Sequence, residues 1–246
     1  MNLSKWLYLL FSFFPFFITG CSSDSDAAYK VFLSTIKDDS KVIANAPLSK
    51  DLSYLRVNIA GLEALMVKGY IDQDKLGPID IWYSSDGSVL RMQKGRYLGS
   101  LGFDKNWQNV QLQDAPELSN IVNRFKRETS SHQLTSVASF YPELQYFFSR
   151  NKTEMPGYQS ALQEKMGISV QDAFPPNIPK SLSAYLNPSE IVWVSEKSLS
   201  NHEKVQSNSS HAWYGFKKYN SSYIQVIGQQ CLSADFCITW MPWPIQ

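Results

Sequence analysis

Residues 79–101 hold three short apolar runs separated by Asp86-Gly87 and Lys94-Gly95. X-Gly dipeptides between β-rich runs are the strongest local signal for antiparallel hairpins, so this stretch predicts a meander: strands over 79–84, 89–93 and 96–101. The register follows from the turn length. A two-residue turn at Asp86-Gly87 pairs Tyr83 with Leu90, Trp82 with Arg91 and Ile81 with Met92. Tyr83, Leu90, Ile81 and Met92 then share an apolar face, and Trp82 and Arg91 lie together on the opposite one. A two-residue turn at Lys94-Gly95 pairs Met92 with Tyr97 and extends the apolar face.

The flanking chain repeats the β pattern. Leu55, Val57 and Ile59 alternate with Arg56 and Asn58; Gly61 and Glu63 mark a turn, and a second run covers 64–71. Further on, 191–194 reads as a strand, and 213–240 as strands broken at Asn220-Ser221-Ser222. Helices are expected in three places. Tyr29, Phe32, Leu33 and Ile36 form one stripe over 25–37. Leu118, Ile121, Val122 and Phe125 form another, after a capping-box-like Asp114-x-x-Glu117. A short helix over 158–166 would end at Gly167, and the Pro-rich 174–179 is a loop. The fold class is mostly β with a few helices: a large antiparallel sheet with helical cover.

Residues 1–20 are an address rather than part of the fold. Lys5 precedes an apolar run over 6–18 that is too short for a bilayer span of roughly 20 residues, and Pro15 interrupts it. It ends Ile18-Thr19-Gly20-Cys21, which resembles the bacterial lipobox. That resemblance implies cleavage before Cys21, acylation there and anchoring by two or more chains, which is what stable attachment needs. Ser22 instead of Asp follows the cysteine, and by resemblance to sorted lipoproteins this implies passage to the outer membrane. The expected organisation is a removed leader (1–20), a lipidated tether (21–26) and a single periplasmic domain (27–246). The chain has three cysteines, so lipidation of Cys21 leaves Cys231 and Cys237. Five residues separate them between strand-like runs, and in an oxidising compartment they are expected to form a disulfide.

Composition narrows the function classes. The 246-residue chain has formal net charge +1, and loss of Lys5 with the leader makes acidic and basic residues equal in number. Such balance argues against binding nucleic acid through an overall field. His132, His202 and His211 lack metal-ligand spacing and read as loop residues. Gly95, Gly99 and Gly102 lie in the meander and not at a strand-to-helix turn, which rejects a phosphate loop. Asp72, Asp74, Asp80 and Asp86 could supply a glycosidase pair, but strand ends and turns explain them more simply. Most tryptophans read as sheet packing. Trp82 is the exception, expected to be partly exposed or paired with a cation beside Arg91.

Residues 54–71 (YLRVNIAGLEALMVKGYI) and 81–91 (IWYSSDGSVLR), with Gly95-Arg96, Leu101-Gly102 and Asn106-Trp107, resemble the YjbF/GfcB family of group 4 capsule and exopolysaccharide lipoproteins. The likeness covers about residues 50–107, with a partial one at Trp213-Tyr214 and over 223–228. It implies a strongly curved antiparallel sheet close to a half-barrel. It brings no catalytic residues and no cofactor, because the family has no established activity. The implied function is non-enzymatic: an outer-membrane lipoprotein, anchored by its N-terminal lipid, that assists polysaccharide secretion or assembly. It would bind glycan or secretion proteins across a surface holding Trp82, Arg91 and Trp107. A periplasmic polysaccharide-modifying enzyme is the alternative, and a lipid or lipoprotein carrier a third reading.

Overall fold

The structure is a computed structural model that describes residues 43–59, 61–103, 106–107, 110–131, 146–152, 154–155, 162–171, 174–175, 177–199, 211–233 and 236–245. The leader, Cys21 and the helix expected over 25–37 lie outside the described residues, as do His132 and His202.

The chain folds mainly into one sheet. Its first half is a run of hairpins: Tyr54–Ile59 (β1), Leu62–Asp74 (β2), Gly77–Tyr83 (β3), Val89–Gln93 (β4) and Arg96–Leu101 (β5). Asn106–Trp107 (β6) and Gln111–Gln113 (β7) lead into the helix Leu118–Ser131 (α1). Tyr146–Lys152 (β8), Glu154–Met155 (β9) and Leu162–Gln171 (β10) follow. A short helix Lys180–Ser183 (α2) and a 3-10 turn Pro188–Glu190 come next. The chain closes with Ile191–Ser198 (β11), His211–Tyr219 (β12), Ser222–Ser233 (β13) and Phe236–Trp243 (β14). Twelve strands pair in the order β5-β4-β3-β2-β1-β14-β13-β12-β11-β10-β8-β7, while β6 and β9 pair separately. The sheet is an antiparallel half-barrel, as the family resemblance implied.

The sheet buries both faces. Its inner face holds a core built from Leu55, Met66, Leu90, Tyr97, Val194 and Trp240. Helix α1 covers that face with Leu118, Ile121 and Val122, the stripe read from the sequence. The outer face carries a smaller cluster in which Ile178 and Leu182 pack on Ile191, Trp193, Ile227 and Met241. Strand β11 therefore serves two cores: Val192 and Val194 point inward, Ile191 and Trp193 outward. This explains its unbroken apolar start. The helix α1 begins at Leu118 and not at Asp114, which takes a left-handed φ of 59°.

Two expectations need correction. The short helix over 158–166 is not formed where the structure describes it: 162–171 is strand β10, between β8 and β11. Leu162 and Met166 fit a helical stripe, but Met166 and Ile168 are buried at strand spacing, and two neighbouring strands claim this segment's backbone. The second correction is the register at Asp86-Gly87. Trp82 pairs with Leu90, Ile81 with Arg91 and Tyr83 with Val89, one residue away from expectation.

The turn chemistry accounts for that slip. Ser84 N–H donates to Ser88 O at 3.0 Å, and Gly87 N–H to Ser84 O at 3.2 Å. The loop is thus three residues, Ser85-Asp86-Gly87, with only Gly87 left-handed at φ 84°. That is the type I turn plus glycine bulge of three-residue hairpins. The Asp86 carboxylate stabilises it locally by accepting from Ser84 Oγ and from Ser88 N–H. Burial works to raise the Asp86 carboxyl, but these hydrogen bonds outweigh it and hold the group below its ordinary value. The second turn follows expectation: Lys94 and Gly95 both have positive φ, Gln93 pairs with Arg96 and Met92 with Tyr97.

Cys231 and Cys237 are joined in a disulfide and face each other across β13 and β14. The sequence expectation for this pair holds.

Candidate functional site

The sheet curls until its edge strand β5 meets the far strands. Tyr97 N–H donates to Gln230 Oε1 at 3.3 Å, and Gln230 Nε2 donates back to Tyr97 O at 3.1 Å. A side-chain amide thus does for an edge strand what a neighbouring peptide group would do. Beside it, the buried Arg96 guanidinium meets buried Glu196: Nε donates to Oε1 at 2.8 Å, and Nη1 donates to Pro116 O at 2.8 Å. Tyr214 OH donates to Glu196 Oε2 at 3.0 Å, so both carboxylate oxygens are satisfied. This cluster ties β5, α1's approach and strands β11–β13 into one body. It is closed to solvent and acts in the architecture.

A second buried arginine lies on β1. Arg56 Nε and Nη2 donate to Glu63 Oε2 at 3.0 and 2.6 Å. Its guanidinium sits 5.2 Å from the Tyr185 ring centre and 5.1 Å from that of Trp243.

The surface expected around Trp82, Arg91 and Trp107 is not assembled as read. Because β3 is paired one residue away from expectation, Trp82 lies opposite Leu90 and Arg91 opposite Ile81, so Trp82 and Arg91 share no face. Trp82 is 8% exposed, and the cation over its ring is Lys68, 5.9 Å from the ring centre. Trp107 lies in β6, opposite Glu154 of β9; its side chain is outside the described residues. The four carboxylates also separate. Asp72 and Asp74 are on the exposed end of β2, Asp86 is engaged in its turn, and Asp80 pairs with Lys68 at 2.7 Å. Among the described residues no cluster of His, Cys, Asp and Glu could hold a metal ion. No helix there is long and apolar enough to cross a membrane.

The topology instead builds an open groove of about 410 Å³ where β3, the β4–β5 turn, the start of α1 and the β12–β13 hairpin meet. Asp80, Lys94, Glu117, Tyr223 and Gln225 line it. Lys94 Nζ donates to Ala115 O at 3.3 Å and lies 3.9 Å from Glu117 Oε1. Gln225 is pinned in the groove lining, its Nε2 donating to Gly95 O at 3.1 Å. A Cβ at Gly95, whose φ is 72°, would overlap that amide, so any larger residue there would have to displace Gln225. A larger hollow, about 650 Å³, follows α1, with residues between 116 and 128 as its described lining. Of the groove residues, the sequence singled out Asp80. Lys94 read as a turn and Glu117 as a cap; the approach of Tyr223 and Gln225 depends on pairings far apart in sequence.

No protein-family model matches this sequence, and no curated protein is significantly similar to it. The fold does have a solved counterpart. The crystal structure of the hypothetical lipoprotein YmcC from Escherichia coli is similar to this chain with a TM-score of 0.52 at 12% identity, covering 92% of this chain and 98% of that one.

Proposed function

We propose that the chain is a non-enzymatic lipoprotein, held by acylated Cys21 at the periplasmic face of the outer membrane. There it assists capsule or exopolysaccharide secretion or assembly by binding glycan or partner proteins. The observation that carries this reading is the joint occurrence of a lipobox ending at Cys21 and a near full-length fold likeness to a hypothetical lipoprotein. The resemblance over 50–107 to capsule and exopolysaccharide lipoproteins supports the process. The inner face supports a binding scaffold over a lipid carrier: where a carrier would hold an acyl chain, α1 and the protein's own side chains pack together.

The test combines labelling with secretion. Fatty-acid labelling should be lost in Cys21→Ser, which should accumulate as the longer precursor. Deleting the gene should lower surface polysaccharide severalfold, and wild type but not Cys21→Ser should restore it. Unchanged labelling, or full restoration by the unanchored variant, would overturn the reading.

A further inference from the structure

We infer that the groove between Asp80, Lys94, Glu117, Tyr223 and Gln225 binds an uncharged stretch of a glycan chain through its hydroxyl groups. This rests on the glycan-binding form of the proposed function and gives it a place and a chemical class.

Three observations lead here. The groove is concave and open, and its volume of about 410 Å³ falls in the range of small-molecule sites. It suits a short stretch of polymer passing through and not an enclosed ligand. Its wall mixes an aromatic ring, Tyr223, with hydrogen-bonding groups, the combination that meets both the C–H face and the hydroxyl edge of a sugar.

The charges then select the class. The charges that line the groove are already paired: Lys94 faces Glu117 at 3.9 Å, and Asp80 faces the neighbouring Lys68 at 2.7 Å. A polyanion would find no net positive charge to hold it, because the two ammonium groups and the two carboxylates balance. Hydroxyls fit better. Asp80 and Glu117 are 39% and 47% exposed, and a carboxylate accepts several hydrogen bonds, so each keeps acceptor capacity beyond its lysine. The Gln225 amide is held in place by Gly95 O, which fixes the groove wall before a ligand arrives.

The test uses the processed, lipidated protein in detergent. The neutral probes are cellohexaose, isomaltohexaose and mannohexaose, the anionic probe is hexagalacturonate, and polysaccharide from the producing cells is the natural one. Binding of at least one neutral probe is expected, with hexagalacturonate at least tenfold weaker. Asp80→Asn and Glu117→Gln should each weaken binding of that probe and of the cell polysaccharide tenfold or more. Asp74→Asn, on the exposed end of β2, should not. Thermal melts of all three variants should match wild type, since the substituted groups are solvent-facing. Tighter binding of hexagalacturonate would overturn the inference. So would retention of the cell polysaccharide by both groove variants, which would place glycan elsewhere and leave the secretion reading intact. Failure of wild type to bind any of these probes would also overturn it, while the deletion and Cys21→Ser experiments would still decide the wider function.

Discussion

The two turns of the β3–β4–β5 meander look alike in sequence, X-Gly between apolar runs, yet they are held in different ways. Ser85-Asp86-Gly87 is stabilised largely from within, by Asp86 accepting from Ser84 and Ser88; Ser88 Oγ adds a bond to Gly102 O at 3.2 Å. Lys94-Gly95 is held from outside. Gln225 donates to Gly95 O, Lys94 to Ala115 O, and the next residue, Arg96, enters the buried cluster with Glu196. A glycine after a polar residue marks where a hairpin turns. Flanking side chains set the loop length, and tertiary contacts set how much stability depends on it.

The largest test of this difference lies at Arg96. Arg96→Ala leaves Glu196 in the interior without its cation, and breaking one side of a buried pair costs about 3–5 kcal/mol. Urea unfolding should show a loss of that order, and Arg91→Ala, in the strand between the two turns, should lose under about 1 kcal/mol. Comparable losses at the two arginines would mean that the second turn is not anchored through β5.

The glycines give a finer comparison. Gly87 and Gly95 have similar positive φ, 84° and 72°, so alanine at either incurs the same left-handed penalty of about 1–2 kcal/mol. Their surroundings differ: a Cβ at Gly87 meets nothing within 4 Å, whereas one at Gly95 overlaps the Gln225 amide. Gly95→Ala should therefore be the more destabilising in thermal melts, and removing the overlap with Gln225→Ala should shrink the gap. Equal melting temperatures for the two glycine variants would show that Gln225 does not clamp the turn.

These contrasts mark what was legible in the sequence. Turn dipeptides located the hairpins, periodicity the α1 stripe, and cysteine count and spacing the disulfide, because each depends on neighbours close along the chain. Leu90 is in the core as expected although its partner is Trp82 and not Tyr83: it is fully buried in the observed register. The charged groups were not legible. Arg56 and Arg96 sit in strands where alternation assigns them to solvent, Glu196 lies past the 191–194 run read as a strand, and ionisable residues are seldom fully buried. Arg96 and Glu196 are 100 positions apart and meet only after the sheet curls. The groove was hidden for the same reason: Lys94 and Gln225 are joined by the closure of the half-barrel and not by any motif.

The smallest expected effect isolates the first turn's internal bonding. The Asp86 carboxyl is held below its ordinary value, so the folded protein binds its proton less readily than the unfolded chain does. Stability from Asp86 is then fully present above the unfolded value near pH 4 and is lost as pH falls through the lower folded one. Asp86→Asn keeps one acceptor oxygen but cannot titrate. Wild type should exceed the variant at pH 7 by less than about 1 kcal/mol, because the group is exposed and screened by water. Urea midpoints measured from pH 7 down to pH 2 should converge in the acid range. A gap that stays constant across that range would mean that the Asp86 charge contributes nothing, and that loop length at this turn is set by the backbone preference of Gly87 alone.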